Sequence, residues 1–151
     1  MNRIISHRAN LNGINSAKYG ENHPLSIIEA VQLGFDVEID IRYINGKFYL
    51  GHDKPDFETS VEFLSKNHFW IHCKNIEALF ELLPIGVPHL FFHDNDDCVL
   101  TSSNYIWSFP RNNVLLTEKS IAVLPELVPN WEGLEKVFGV CTDFPEKYTR
   151  Y

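Results

Sequence analysis

The amino-acid sequence predicts an α/β fold, a compact and trimmed TIM-barrel-like arrangement. Two observations predict it: short apolar strands are separated by helices of modest length, and several of these strands end in polar residues. In barrels of this kind the loops that follow the strands converge on one mouth, where functional residues collect. A complete barrel typically needs about 250 residues. The chain has 151, so we expect several helices to be short or replaced by loops.

The composition predicts one globular domain over residues 1–151. Hydrophobic residues make up 44% of the chain, which supports a real core. The net charge is −7, from 20 acidic and 13 basic residues. This balance argues against nucleic acid or an anionic membrane as the main partner, because both require a basic face. A locally positive pocket or a bound metal can still admit a small-molecule phosphodiester substrate.

The cysteines and the beginning of the chain predict a soluble cytoplasmic protein. Cys73, Cys98 and Cys141 are widely spaced and form no CxxC pair, so we expect reduced, buried thiols and no disulfide framework. The opening stretch contains no apolar run of signal-peptide length. No segment reaches the roughly 18 apolar residues of a membrane helix, so we expect no stable membrane insertion.

The first elements predicted are a short strand over 3–6, which ends at His7, and a helix. The helix begins at a cap within 22–23 and stops at Gly34. Glu21 is expected at the helix entry, near the positive end of the helix dipole. Apolar residues at three-residue steps predict the buried stripe of the helix: Leu25, Ile28 and Val31.

A β-hairpin follows, beginning with a strand over 36–44 that alternates with period two. Its apolar residues point one way, and the carboxylates Glu38 and Asp40 point the other. The Asn-Gly pair at 45–46 is the strongest short hairpin signal, and 47–52 is the return strand. Periodicity alone favours a solvent-exposed face for the two carboxylates.

The register of this hairpin raises a specific question about His52. In a regular two-residue hairpin Ile39 would face His52, on the apolar side and away from Glu38 and Asp40. A functional position for His52 beside the carboxylates therefore requires an irregularity. We predict a bulge or bend at Gly51.

The rest of the chain alternates in the same way, and polar residues again follow the strands. One helix is predicted over 76–83. Strands are predicted over 69–74, 89–93, 105–109, 114–117 and 137–143, with a weak segment over 121–128.

Three stretches resemble the glycerophosphodiester phosphodiesterase family, within the PI-PLC-like phosphodiesterase superfamily. SHRAN at 6–10 resembles the family's opening His-Arg-Gly, and CTDFPEKY at 141–148 resembles its closing Thr-Asp-x-Pro. Residues 21–55 resemble its continuous signature: Glu-Asn before the first helix, Glu-x-Asp on the second strand, then His-Asp after a turn. The specificity lies in the order of several spaced elements, since none is distinctive alone.

The resemblance implies a trimmed, PLC-like phosphodiesterase fold and metal-dependent cleavage of a phosphodiester. It implies that His7 and His52 are the catalytic acid and base. Glu38 and Asp40 would bind the metal, and Arg8 would hold the phosphate. These residue types suit the chemistry, because imidazole has an ordinary pKa of about 6.5, carboxylates two apart on a strand share a face, and guanidinium grips phosphate in bidentate fashion.

Two positions depart from the family pattern. Ala9 replaces the motif glycine, and His72 stands where the family has a metal-binding Glu two residues before Lys74. Lys74 would add a positive charge for phosphate. We expect one divalent ion, with Mg²⁺ or Ca²⁺ first and Mn²⁺ or Zn²⁺ as the alternatives that His72 introduces. His72 is either a ligand to such an ion or leaves the site one carboxylate short.

Weaker candidates lie near other strand ends. Residues 93–97 are expected to form a surface turn, with Asp94 its best functional candidate. Trp107 and Arg111 are candidate substrate contacts. Residues 142–143 are expected to fix the closing turn.

Three functions are compatible with these residues. The first is hydrolysis of a glycerophosphodiester or a related small phosphodiester. The second is a PI-PLC-like lyase that releases a cyclic phosphate, and the third is a catalytically degenerate protein that binds a phospho-ligand. A homo-oligomer is also compatible, because a trimmed barrel can leave strand edges that a partner subunit covers.

Overall fold

The structure is a computed structural model that describes residues 2–111 and 114–149. In these ranges the chain forms a mixed α/β fold with one curled sheet and few helices. The strands are β1 (Arg3–His7), β2 (Asp36–Ile44), β3 (Lys47–Leu50), β4 (Phe57–Thr59), β5 (Phe69–Cys73), β6 (Leu90–Phe92), β7 (Cys98–Leu100), β8 (Ile106–Ser108), β9 (Ser120–Val123) and β10 (Gly139–Thr142). The α-helices are α1 (Pro24–Gln32), α2 (Val61–Leu64) and α3 (Ile76–Leu82). Short 3₁₀ helices span Leu83–Ile85, Pro125–Leu127, Leu134–Lys136 and Pro145–Tyr148.

Strand β1 lies at the centre of the sheet, between β2 and β10. Parallel pairing continues from β2 to β5 and β6 on one side, and from β10 to β9 and β8 on the other. The carboxyl ends of these parallel strands therefore lie along one edge of the sheet. Beyond the end of β1, β2 pairs with the antiparallel strand β3, and β3 pairs in turn with β4. Strand β7 runs antiparallel beside β8.

The curled sheet is open between β6 and β7, where the described strands form no hydrogen-bonded ladder. The two sides are tied near the amino end of β6. There Ser102 N donates to Leu90 O at 2.8 Å, and Leu90 N donates to Ser102 Oγ at 2.8 Å. The predicted α/β class is confirmed, with a curled sheet and few helices in the described residues.

Alternation along β2 separates two layers of the core. Val37, Ile39 and Ile41 are fully buried and pack in one cluster with residues of the three helices. Glu38 and Asp40 point to the opposite face, on the inside of the curl, and are 3% and 0% exposed. The solvent-exposed face that periodicity alone favours is therefore wrong, because this strand is covered on both sides.

Helix α1 buries the predicted stripe only in part, since Val31 is half-buried against the core. Its buried residues are Ser26, Ile27 and Ala30. Leu25 and Ile28, which were predicted to be buried, are 51% and 40% exposed. The three-residue spacing identified an apolar stripe but did not fix which side of the helix faces the sheet. The small side chains of Ser26 and Ala30 allow α1 to lie against the sheet on that side.

The hairpin follows its predicted course. Strand β2 has the predicted bounds, and the Asn-Gly turn with positive φ values leads directly into β3. The last paired residues are Ile41 and Leu50, and the N–H of Gly51 still donates in register to the backbone oxygen of Asp40 at 3.0 Å. Gly51 then has a φ of +145°, and His52 lies outside the strand. The predicted irregularity takes the form of a bend: the register holds up to the Gly51 N–H, and the chain turns away after it.

We expect Gly51→Ala to lower the free energy of unfolding by about 3 kcal/mol or more. An added Cβ would overlap the backbone oxygen of Lys54 and lie 3.0 Å from Oδ2 of Asp56, and alanine also disfavours this φ. Gly20 is the matched control, because its φ is +103° but no atom lies within 4 Å of an added Cβ. Gly20→Ala should cost only about 1 kcal/mol. Equal losses in urea denaturation would contradict the role of crowding at Gly51.

Several segments differ from the prediction. Residues 114–117 form no strand: the carbonyl of Val114 accepts a hydrogen bond from Nε1 of Trp131 at 3.2 Å, and Leu116 packs in a small core cluster. Strands β4 and β7 and helix α2 were not predicted, because three or four residues are too few to show a period. The weak segment 121–128 contains the end of β9 followed by a 3₁₀ turn.

The free cysteines agree with the prediction in part. Cys73 and Cys141 are buried free thiols, whereas Cys98 is free but exposed on β7. Within 2–111 and 114–149, no helix has both the length and the apolar character needed to cross a bilayer.

Candidate active site

On the strands of the sheet, site residues come two positions after apolar residues of the inner core. On the inner face Ile5 is followed two residues later by His7, and Trp70 is followed two residues later by His72. The apolar side chains form a cluster that also includes Phe91, Trp107 and Cys141. This cluster is the floor of the site, and the polar side chains lie above it at the carboxyl edge of the sheet.

A pocket of about 470 Å³ opens above this floor. This volume lies within the range of about 300–1,000 Å³ that is usual for small-molecule sites. The buried Asp40 lies behind the pocket wall, next to Arg8 and His72. Six other predicted site residues line the pocket: His7, Arg8, Glu38, His52, His72 and Lys74. The structure thus brings all seven together.

Glu38, Asp40 and His72 form a buried carboxylate–imidazole triangle. Nδ1 of His72 lies 3.2 Å from Oδ1 of Asp40 and 3.8 Å from Oε1 of Glu38. Each residue offers a ligand atom, and these atoms all lie within 4.8 Å of one another. The arrangement arises in the β2–β5 ladder, where Asp40 is directly opposite His72.

The triangle could hold a divalent metal ion. Neighbouring ligands around an ion with bonds of about 2.1 Å lie about 3 Å apart, close to the separations of His72 from the two carboxylates. Oδ1 of Asp40 and Nε2 of His72 are buried without a hydrogen bond. Nδ1 of His72 approaches Oδ1 of Asp40 without the alignment of a hydrogen bond. Buried polar atoms without partners are costly, and a cation between Nδ1 of His72 and the two carboxylates would satisfy Oδ1 of Asp40.

The ionisable groups of the triangle perturb one another. Burial and the nearby Asp40 carboxylate raise the pKa of Glu38 to about 7. Burial also acts to raise the pKa of Asp40, but His72 and Arg8 hold that pKa below its usual range. Burial lowers the pKa of His72. The imidazole is therefore held in the neutral form that binds metals.

Arg8 is held over the triangle by carboxylates. Its Nε lies 3.1 Å from Oδ2 of Asp40, and its Nη1 donates to Oε2 of Glu21 at 3.4 Å. Its backbone N–H lies 3.3 Å from Oε2 of Glu38. Arg8 and Ala9 have φ values of +52° and +68°, so Ala9 adopts the conformation that the glycine of the resembling motif would favour. Glu21 is a partner of Arg8 as well as a residue near the helix entry.

His7 is oriented by Asp143. Its Nδ1 lies 2.8 Å from Oδ1 of Asp143, which also accepts from Nδ2 of Asn10 at 2.8 Å. An ionised carboxylate can only accept, so Nδ1 carries the proton and Nε2 of neutral His7 has a free lone pair. Nε2 lies 4.0 Å from Oε2 of Glu38. Burial acts to lower the pKa of His7, but the Asp143 hydrogen bond and the Glu38 charge raise it above its ordinary value.

His52 repeats this arrangement at the surface. Its Nδ1 lies 2.7 Å from Oδ1 of Asp53, whose side chain is 92% exposed. Nη2 of Arg42 donates to the backbone oxygen of His52, which helps to fix the bend.

Lys74 follows β5, and within the part of the chain that the structure describes its ammonium group has no ion pair or hydrogen bond. Lys74 is therefore a cation available to an anionic ligand.

The weaker candidates divide into two groups. Trp107 and Asp94 line the pocket. Arg111 lies outside the pocket lining, and its Nε pairs with Oδ1 of Asp97 at 2.7 Å. Of the residues expected to fix the closing turn, Thr142 does so from the end of β10, since its hydroxyl accepts from the Phe144 N–H at 3.0 Å.

Sequence reasoning missed three roles in the site. Asp143 was expected in the closing turn, but its carboxylate orients His7. Asn22, expected at the helix cap and in the Glu-Asn element of the signature, was given no contact in the site, but it donates to Oδ2 of Asp40 at 2.9 Å and accepts from the Asp40 N–H at 2.9 Å. His93 lines the pocket two residues after the buried Phe91. The repeated spacing of an inner apolar residue and a polar residue two positions later could have identified His93.

Comparisons of the chain with protein-family models, with curated proteins and with solved structures gave no match. The functional argument therefore rests on the residues and their geometry.

Proposed function

We propose that the protein is a metal-dependent phosphodiesterase that cleaves a glycerophosphodiester or a related small phosphodiester. One observation carries the proposal: two histidines, each with Nδ1 on a carboxylate, line the same pocket as a carboxylate–imidazole triangle and two cations. The strand order supports a trimmed, PLC-like barrel. Around the curl the parallel strands run β1, β2, β5 and β6, and then β8, β9 and β10, which returns to β1.

Glu38, Asp40 and His72 are the proposed ligands of one divalent ion. An imidazole beside two carboxylates favours Mn²⁺ or Zn²⁺, because Mg²⁺ and Ca²⁺ prefer oxygen ligands. When bound, such an ion neutralises charge on phosphoryl oxygens and orients the attacking hydroxyl.

The remaining residues divide the work of phosphate binding and proton transfer. Arg8 and Lys74 are proposed to hold phosphate oxygens, Arg8 from the end of β1 and Lys74 from the end of β5. His7 is proposed as the general base, because Asp143 holds the proton on Nδ1 and leaves Nε2 free to accept one. His52, nearer to solvent, is then the general acid that protonates the leaving alcohol.

The experiment that tests this function is hydrolysis of glycerophosphocholine and bis-p-nitrophenyl phosphate by the purified protein. The protein is first treated with a chelator, and Mg²⁺, Ca²⁺, Mn²⁺ and Zn²⁺ are then restored separately. Metal-dependent turnover supports the phosphodiesterase proposal, and a cyclic phosphate product detected by phosphorus NMR would assign a lyase. A folded protein that turns over neither substrate with any of the four ions would overturn the proposal in favour of a phospho-ligand binder.

Asp143→Asn is expected to shift the pH dependence of kcat/KM. The Asp143 hydrogen bond raises the pKa of His7, so its loss lowers that pKa. A base must be unprotonated to act, so the acidic limb of the profile moves to lower pH. The rate at the optimum also falls, by about 10²-fold or more, because asparagine no longer imposes the tautomer.

Asp53→Asn is the matched control for Asp143→Asn, because Asp53 makes the same contact to His52 but is 92% exposed. We expect a smaller loss of rate and no shift of the acidic limb. An acidic limb that stays in place in Asp143→Asn would contradict the assignment of His7 as the base.

A further inference from the structure

The pocket is divided into two chemically different halves. The ionic half, described above, comes from β1, β2, β5 and the bend after β3. The opposite half comes from the ends of β6, β8 and β9, and we call it the apolar wall: Phe92, Trp107, Phe109, Pro110, Val123 and Leu124. A phosphate group needs only the ionic half, so the wall faces another part of the ligand.

The apolar wall offers few hydrogen-bonding groups. The polar side chains beside it in the pocket lining are His93 and Asp94. The ring of His93 is stacked on Phe109, with centroids 3.7 Å apart and an interplanar angle of 22°, and its Nδ1 is buried without a hydrogen bond. A polyhydroxylated group placed here would lose hydrogen bonds to water and recover few from the protein.

Two residues of the wall are held where they expose apolar surface. Phe92 ends β6 at the open side of the sheet and is 37% exposed. Leu124 has a φ of +46°, a conformation that is rare for a bulky residue and is found at ligand-binding positions. The N–H of Leu124 donates to Cys141 O at 2.7 Å, which fixes this backbone. Both side chains line the pocket, and Leu124 also packs against the edge of the floor.

We infer that one of the two alcohol groups of the substrate is apolar, an aryl or alkyl group that packs on the wall while the phosphate lies in the ionic half. This inference rests on the proposed phosphate site. It narrows the substrate class to phosphodiesters with one apolar alcohol group, in preference to those with two polyhydroxylated ones.

The test compares phosphate monoesters as ligands by isothermal titration calorimetry, with Mn²⁺ in both cell and syringe. Phenyl phosphate should bind at least about 10-fold more tightly than methyl phosphate, because burial of the ring removes apolar surface from water. Glycerol 3-phosphate, which is large enough to reach the wall but polar, should bind no more tightly than methyl phosphate.

Variants locate the effect on the wall. Phe92→Ala and Phe109→Ala should each reduce the preference for phenyl phosphate by about 3-fold or more and leave methyl phosphate binding unchanged. Phe80→Ala is the matched control, since Phe80 is a 72% exposed phenylalanine on α3, outside the pocket lining. It should change neither affinity.

Each outcome has a defined meaning. Equal affinity for phenyl and methyl phosphate, or tighter binding of glycerol 3-phosphate, overturns the inference while the phosphate site stands. A preference for phenyl phosphate that survives Phe92→Ala and Phe109→Ala also overturns it. If no ester binds, the phosphate site and the inference both fall. If the esters bind as expected but no diester is cleaved, the inference stands and only the catalytic proposal falls.

Discussion

His7→Ala is expected to reduce turnover of bis-p-nitrophenyl phosphate by about 10²–10⁴-fold, the contribution usual for a positioned acid or base. The expectation follows from geometry. Nδ1 of His7 is committed to Asp143, so Nε2 is the nitrogen available to the reacting hydroxyl. Metal affinity should change little, because His7 does not belong to the triangle of ligand atoms. The measurement is kcat with a saturating metal ion, beside the metal dissociation constant.

Two further variants separate catalysis from folding. His7→Asn keeps an N–H group that can donate to Asp143 but cannot act as a base near neutral pH, so it should be as inactive as His7→Ala and more stable. His68→Ala is the matched control, since His68 precedes β5 at the end opposite to His72 and packs on Phe69. It should retain full activity. An active His7→Asn would refute the assignment of His7 as the base.

Glu38→Gln is expected to weaken binding of Mn²⁺ or Zn²⁺ by about 10²-fold or more and to abolish turnover. The amide has nearly the shape of the carboxylate but has no charge and is a weak metal ligand. Binding in the unmodified protein should also release a proton near pH 7, because the pKa of Glu38 is raised to about 7 and the ligand must be ionised. Calorimetry in buffers of different ionisation enthalpy measures both quantities.

The same pKa predicts how the chelated protein responds to pH. Between the ordinary pKa of Glu, 4.5, and about 7 the folded protein keeps a proton on Glu38 that the unfolded chain has released. The free energy of unfolding therefore falls as pH rises through this interval, by an amount on the order of a few kcal/mol. Other groups titrate here too, so the difference between the unmodified protein and Glu38→Gln isolates this carboxyl group.

Glu118→Gln is the control for both measurements, because Glu118 is exposed in the turn before β9. It should change neither the metal affinity nor the pH dependence. If Glu38→Gln has the same pH-dependent stability as the unmodified protein, the raised pKa of Glu38 is wrong. If it binds metal with unchanged affinity, the triangle is not the metal site.

Local patterns carried much of the site prediction. The period of β2, the Asn-Gly turn and the register argument at Gly51 depend on neighbouring residues, and the structure confirms all three. The ionic half of the pocket followed from the quoted motifs: His7 ends the parallel strand β1, Glu38 and Asp40 lie within β2, and the antiparallel β3 leads to His52. These features are encoded within segments of about ten residues.

Features that depend on distant segments were not predicted. The buried side of α1 depends on how closely the helix approaches the sheet, which apolar spacing does not specify. The partnership of His7 with Asp143 joins residues 136 positions apart. The apolar wall joins the ends of three strands that are far apart in the sequence, and of its residues only Trp107 was predicted as a substrate contact. Each of these features is a property of packing between elements.

The central place of β1 has a consequence for how the chain reaches its native state. The segments that form β1 and β10 lie near opposite ends of the sequence, yet they pair in the middle of the sheet. Such long-range pairings are slow to form, because the entropic cost of closing a large loop comes before any stabilising contact is made. During synthesis β1 can pair with β10 only after all the residues between them have been made. The histidine of β1 and its carboxylate partner therefore meet late, and activity should recover on refolding no sooner than the sheet is complete.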